Sequence, residues 1–322
     1  MLLWLSFWSW GAPIQVDLHL DTPSQLYNQN LSWHSSTGLE AGLAQLRRGG
    51  TNVPVMVLFP PREVEHLAHS RALLEKIERE AFLSEMIEIA HSPREVRNLI
   101  RENKTAVLIS MEGAHGLGDG DWRLPLVEFH QRGLSMLGLS WSFSTRFGGS
   151  SGDRGGGLTT MGKELVKEAQ SMGILIDLSH SSRAVTMEVC SNSPVPVVAS
   201  HSAAYALQPV PRNLLDREIV CIARTGGVIG INFHAPFLGK APDLKRVADH
   251  VEHIAKVGGY ASVALGTDFD GWIRTPKGLE NASALPKLFS ELRRRGWSEE
   301  QLRGFRGENF LRAWDTALQF VK

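Results

Sequence analysis

The chain has 322 residues, 43% of them hydrophobic and 21% charged, which supplies a sizeable core and excludes global disorder. Lys plus Arg and Asp plus Glu number 34 each. That balance argues against a nucleic-acid or anionic-membrane partner and for a small, locally recognised substrate.

Residues 1–12 are apolar and Trp-rich. They read either as an export signal or as an N-terminal extension packed on the bottom of the fold. No Lys or Arg precedes the apolar run, and Trp10 stands where a cut after Ala12 calls for a small residue. Whether the protein is cytoplasmic or exported turns on cleavage of that segment. It is too short to span a bilayer, and no other stretch is a membrane candidate. Residues 13–322 read as one domain, because no linker rich in Pro, Gly or Ser divides them.

Eight short runs have the near-continuous apolar character of parallel strands covered on both faces: 14–20, 52–59, 105–111, 134–141, 174–178, 195–200, 227–233 and 262–267. Helical patterns fall between them. Residues 61–90 and 93–102 form a long insertion after the second strand. Then come 122–132, 159–172 (with Thr159 or Thr160 placed to cap it), 182–190, 213–225, 243–257, 285–295 and 309–320. Eight strand–helix repeats predict a single (β/α)₈ TIM barrel, which takes about 250 residues plus insertions. An open doubly wound sheet is the alternative.

Two sequence features are read plainly. The Gly-rich stretch 148–157 lacks a GK[ST] triplet and the spacing of a dinucleotide fingerprint. It is expected to be a mobile loop on the active-site side. Cys190 and Cys221 fall in predicted helices, form no CxxC motif and are expected to be buried free thiols.

In such a barrel the site lies at the C-terminal strand ends. Here apolar strands run straight into ionisable groups: His19 and Asp21, Glu112, Asp177 and His180, His201, and Asp268 with Asp270. Residues i and i+2 of a strand share a face, so His19 and Asp21 can aim at one metal. One such strand end is weak evidence. Five around one barrel mouth are costly to bury unless they are paired or bind metal. Three His and several carboxylates suit Zn²⁺ or a related ion. The surplus over one metal's needs points to two, bridged by a carboxylate about 3.5–4 Å apart, with a bridging hydroxide as nucleophile. His115 and His234, just past strands three and seven, are candidate supporting or substrate-facing groups. The other histidines are expected in solvated or packing roles.

At these residues the chain resembles the membrane (renal) dipeptidase family, a branch of the amidohydrolase superfamily, as a bacterial-type member. The likeness runs from Val16 to Phe320. It is carried by residues 16–21 (VDLHLD), 111–113 (MEG), 173–182 (GILIDLSHSS), 198–202 (VASHS), 211–213 (PRN) with Asp216, 226–228 (GGV) and 266–271 (GTDFDG). The resemblance implies a binuclear zinc centre. His19 and Asp21 would hold one zinc, His180 and His201 the other, and Glu112 would bridge them. Asp268 would handle the proton, and Arg212 would grip the substrate carboxylate. Trp141 stands where mammalian members have a substrate-facing His, and bacterial relatives often carry Trp there. The disulfide cysteines of the animal enzymes have no match, and no anchor signal follows Lys322, so a glycolipid-anchored form is not expected.

The expected function is therefore hydrolysis of dipeptides, L-D dipeptides included, by a zinc-dependent dipeptidase. The alternatives are an amidohydrolase acting on another amide, such as an N-acyl amino acid or a lactam, and a barrel that has become a scaffold. Oligomeric state is left open, a homodimer included.

Overall fold

The computed structural model describes residues 13–34 and 38–321; the N-terminal segment read as signal or extension lies outside them. In chain order the elements are β1 Val16–Leu20, α1 Thr22–Asn28, α2 Leu43–Gly49, β2 Val53–Leu58, α3 His66–Phe82, β3 Ile87–Ile89, α4 Pro93–Arg101, β4 Thr105–Met111, α5 Arg123–Gln131 and β5 Leu134–Gly138. They continue with α6 Thr160–Ser171, β6 Leu175–Asp177, α7 Arg183–Asn192, β7 Val198–Ser202, α8 Asp216–Arg224, β8 Val228–Ile231, α9 Ala235–Leu238, α10 Leu244–Gly258, β9 Val263–Leu265, α11 Leu285–Arg294, α12 Glu299–Arg303 and α13 Asn309–Leu318.

The strands pair in parallel in the order β1-β2-β4-β5-β6-β7-β8-β9. The sheet then closes on itself. The backbone N–H of Asp268 donates to the His19 carbonyl at 3.1 Å, and that of Asp21 donates to the Phe269 carbonyl at 3.0 Å. This is the (β/α)₈ barrel expected from the repeats. Every residue of β1, β2, β5, β6, β7, β8 and β9 is buried, as strands covered on both faces must be. Among the described residues no helix is long and apolar enough to cross a membrane.

The structure departs from the sequence reading in several places. The stretch read as one helix over 61–90 holds α3 and then β3, which pairs with β4 outside the barrel path. Ile87-Glu88-Ile89 alternates with period two, and Ile87 is buried while Glu88 is exposed. Helices α1 and α2, seven residues each, went unread because two turns are too few to establish a 3.6-residue period. Local signals were present: Pro23 in the first turn of α1, and Gly50 at φ 83° closing α2 in the left-handed region.

The Gly-rich stretch 148–157 is tied down rather than loose. Gly148 pairs with Leu158 and Ser150 with Ser181. The Ser151 N–H donates to the His180 carbonyl at 2.8 Å. Cys190 and Cys221 are not free thiols: they form a disulfide with a Cα–Cα distance of 5.8 Å. It joins α7 to α8, which also share an Arg183–Glu218 ion pair. Two helices of adjacent barrel repeats pack side by side, a proximity that no sequence spacing reports.

The bridge encloses a 31-residue separation, for which chain-entropy arguments give about 3–4 kcal/mol. Reduction, or Cys190→Ala, is expected to lower the unfolding temperature by about 5–10 °C. Thiol titration of the unfolded, unreduced chain should find no free thiol; two free thiols would contradict the bridge.

Candidate metal centre

The five predicted ligands and the predicted proton carrier Asp268 leave the barrel at the C-terminal ends of five strands. His19 lies in β1 and Asp21 just beyond it, Glu112 follows β4, His180 follows β6, His201 lies in β7, and Asp268 follows β9. The structure brings all six together. Glu112 Oε1 stands 3.0 Å from His180 Nε2, 3.3 Å from His201 Nε2 and 3.6 Å from His19 Nε2. His19 Nε2 is 3.6 Å from Asp21 Oδ2 and 4.0 Å from Asp268 Oδ1. Three sets of donor atoms lie within 4.8 Å of one another: His19/Asp21/Glu112, Glu112/His180/His201 and His19/His201/Asp268. Glu112 belongs to the first two, as a bridging carboxylate would. The third shows that Asp268 also lies within reach of a cation.

Backbone conformation aims these side chains. His180 and Asp268 are non-glycine residues at φ 65° and 68°, a region disfavoured for side-chain-bearing residues and common at functional sites. The His180 carbonyl is held by the Ser151 N–H at 2.8 Å and the Ser150 hydroxyl at 3.2 Å, so the tied Gly-rich segment fixes the turn that carries His180. Gly271 leaves room for the acids: a Cβ there would stand 2.7 Å from Asp21 Oδ2 and 2.8 Å from Asp268 Oδ1.

The electrostatics of the cluster fit a cation. Burial alone would lower the His19 imidazole, but the Glu112, Asp21 and Asp268 carboxylates outweigh it and push it up to about 10. Burial, then the Arg212 charge, pulls His180 down to about 4. Burial, with His19 and Arg212, pulls His201 well below its usual range. Burial also works to raise Glu112, yet His19, His180 and His201 hold it well below the ordinary carboxylate range. Asp268 moves the other way: burial, with Asp21 and Glu112 adding, raises it well above that range. Buried carboxylates thus draw positive charge onto His19. His19 Nε2 and Asp21 Oδ1 are buried without a hydrogen-bond partner, and the Nε2 atoms of His180 and His201 face each other at 3.0 Å. Divalent metal suits this donor set on every count.

A cavity of about 400 Å³ opens above the cluster, walled by Phe59, Trp141, His234, Phe237, Trp272 and Ile273. Trp141 packs on Phe59 at 4.7 Å between ring centroids and lies 6.2 Å from the His180 ring. A roomier cleft of about 940 Å³ between α6 and α7 is lined by groups such as Lys163, Glu188 and Phe320. It gathers no convergent donors and does not compete on chemistry. Arg212 is half-buried. It donates to Ser202 Oγ at 2.9 Å and to the His201 carbonyl at 2.7 Å, while its Nε has no partner.

His115 does not join the cavity wall; its Nε2 pairs with the Pro60 carbonyl at 2.9 Å. His234 does. Sequence reading missed Asn232, whose Nδ2 donates to Asp268 Oδ2 at 3.0 Å, and the aromatic wall of Phe59 and Phe237. The strand-end rule could have found Asn232 and Phe59, which directly follow β8 and β2.

The model of the family described as membrane dipeptidase (peptidase family M19) matches residues 12–322. The dipeptidase verJ of Clonostachys rogersoniana is 33% identical over 237 residues, which is 72% of this chain and 61% of that protein's own length. A metallopeptidase from Rhodobacter sphaeroides, solved with a phosphinate mimic of the dipeptide L-Ala-D-Ala, is 25% identical. It superimposes with a TM-score of 0.88 over 95% of this chain and 99% of its own. The probable dipeptidase PvdM from Pseudomonas aeruginosa superimposes with a TM-score of 0.88 at 22% identity, over 96% of both chains. At that identity the likeness speaks to fold.

Because His19 is raised to about 10, the metal-free chain carries a proton there at neutral pH. A divalent cation must displace it, so uptake should release at least one proton per chain and be weaker at about pH 6 than at about pH 8. Titration calorimetry in buffers of different ionisation enthalpy checks this; a buffer-independent heat would contradict it.

Proposed function

The chain belongs to the membrane dipeptidase family, and from that premise we propose that it is a zinc-dependent dipeptidase, hydrolysing the peptide bond of dipeptides with a free C-terminal carboxylate, L-D dipeptides included. The observation that carries the reading is half-buried Arg212, whose guanidinium has a buried Nε without a partner and no carboxylate among its hydrogen-bond partners, beside a cluster fitted for metal. A planar fork with unused donors suits a carboxylate. The phosphinate dipeptide mimic held by the Rhodobacter sphaeroides relative supports the same substrate class.

In this reading His19 and Asp21 would hold one zinc ion, His180 and His201 a second, and Glu112 both. When bound, the metals supply Lewis acidity for the scissile carbonyl and lower the pKa of the attacking water.

The chain's own groups do the rest. Arg212 binds the terminal carboxylate and fixes the register, favouring dipeptides over longer chains. Asn232 holds Asp268 Oδ2 at 3.0 Å, which leaves Oδ1 for proton transfer. Asp268 takes the proton of the attacking water and delivers it to the nitrogen of the leaving amine, so the products are a free acid and a free amine. Trp141 and Phe59 wall the cavity, exclude water and contact the substrate side chain.

Three measurements test the proposal. The zinc-loaded protein is expected to turn over members of an L-L and L-D dipeptide panel, and turnover of none would sink it. Asp268→Asn should keep its metal while kcat falls by about 10²–10⁴; loss of metal instead would make Asp268 a ligand. Arg212→Ala should raise KM for carboxylate-bearing dipeptides by roughly 10–100-fold, the worth of a hydrogen bond to a charged group. An unchanged KM would free Arg212 from that role.

A further inference from the structure

Beneath the metal cluster lies a second layer of polar groups with no exposure of consequence: Asp177, Ser179 and Ser200 are 2%, 3% and 0% exposed. Asp177 Oδ1 accepts the backbone N–H groups of Ser179 and Ser200, both at 2.9 Å. Its Oδ2 accepts the Ser200 hydroxyl at 2.5 Å. With its one proton committed to Asp177, Ser200 Oγ has only lone pairs for its other neighbours. These are His201 Nδ1 at 2.8 Å, and His19 Nδ1 and Ser179 Oγ at 3.3 Å each. Ser179 Oγ in turn accepts the His201 backbone N–H at 3.1 Å. A proton on Nδ1 of each imidazole meets a lone pair there, and it leaves Nε2 toward Glu112, 3.6 Å away for His19 and 3.3 Å for His201. The two rings lie 3.7 Å apart between centroids, so one hydroxyl reaches both.

We propose that Asp177 and Ser200 form a single fork that sets the Nδ1–H tautomer of His19 and His201 together, so that one buried carboxylate positions a ligand in each half of the metal pair. The inference rests on the metal-centre reading above. Groups behind a ligating histidine ordinarily fix one ring each. Here one hydroxyl serves both rings, and Asp177 keeps its proton away from them.

The chemistry of Asp177→Asn makes the idea testable. Two backbone N–H groups demand an oxygen at the Oδ1 position, so the amide NH₂ would face Ser200 and donate. The Ser200 proton would then turn to the nearest imidazole nitrogen, His201 Nδ1. That ring's own proton would move to Nε2, the atom needed for metal. Ser200→Ala would instead leave both rings without an acceptor.

The experiment uses the full chain with ¹⁵N-histidine, titrated with zinc against a competing chelator. Thermal unfolding of the zinc-free variants serves as the fold control. The wild type is expected to take up two zinc ions with Nδ1–H signals for both rings. Asp177→Asn should bind one of the two at least tenfold more weakly and show a new Nε2–H imidazole signal. Ser200→Ala should weaken both by about 10–100-fold. An Asp177→Asn chain with wild-type zinc affinity and wild-type imidazole signals overturns the inference alone. A wild-type chain that takes up no zinc overturns the metal-centre reading, and the inference with it.

Discussion

Buried negative charge is the constraint around which this barrel is organised. Asp21, Glu112 and Asp268 share one nearly dry mouth, and three carboxylates cannot be ionised together there without compensation. The response is visible at every level. Glu112 Oε1 faces three imidazole nitrogens within 3.6 Å. Asp268 is pushed toward its protonated form by burial and by its acidic neighbours. His19 is pushed toward its charged form by the same carboxylates. One buried site thus drives two carboxylates in opposite directions.

The scaffold holds these groups through backbone as much as through side chains. His180 and Asp268 sit at positive φ, conformations that persist only where surrounding structure over-determines them. For His180 that support comes from the Gly-rich segment, whose turns bring Ser150 and Ser151 onto its carbonyl. For Asp268 it comes from the closing hydrogen bonds to β1 and from Asn232. The strain is local, and the bonds that offset it belong to the fold.

Much of this was legible in the sequence. Apolar runs that stop at His19, Glu112, His180, His201 and Asp268 marked both the strands and the site, because a barrel makes strand ends and chemistry coincide. What stayed hidden were properties of proximity. The Cys190–Cys221 bridge depends on α7 and α8 lying side by side. Three residues of β3 were absorbed into a helical pattern that continues on both sides of them. Asp177, Ser179 and Ser200 looked like ordinary strand-end polar residues, and only their convergence beneath two imidazoles gives them a role. The aromatic wall joins Trp141 to Phe59, just past β2, and to Phe237 in the short helix α9, and for Phe237 no local pattern announces it.

The seam between β1 and the segment after β9 also dictates an order of assembly. Asp17 accepts from the Thr267 backbone and hydroxyl across 250 residues of chain, whereas the α7–α8 bridge spans 31. During N-to-C synthesis the first strand is made earliest and acquires its last neighbour latest. Its edge, carrying His19 and Asp21, waits unpaired while the β6–β7 half with His180 and His201 can already form. Contacts of such long range are slow to make, and open strand edges are prone to wrong pairing. A chain stopped short of Thr267 would therefore present half of the donor set in place and the other half on an unprotected edge.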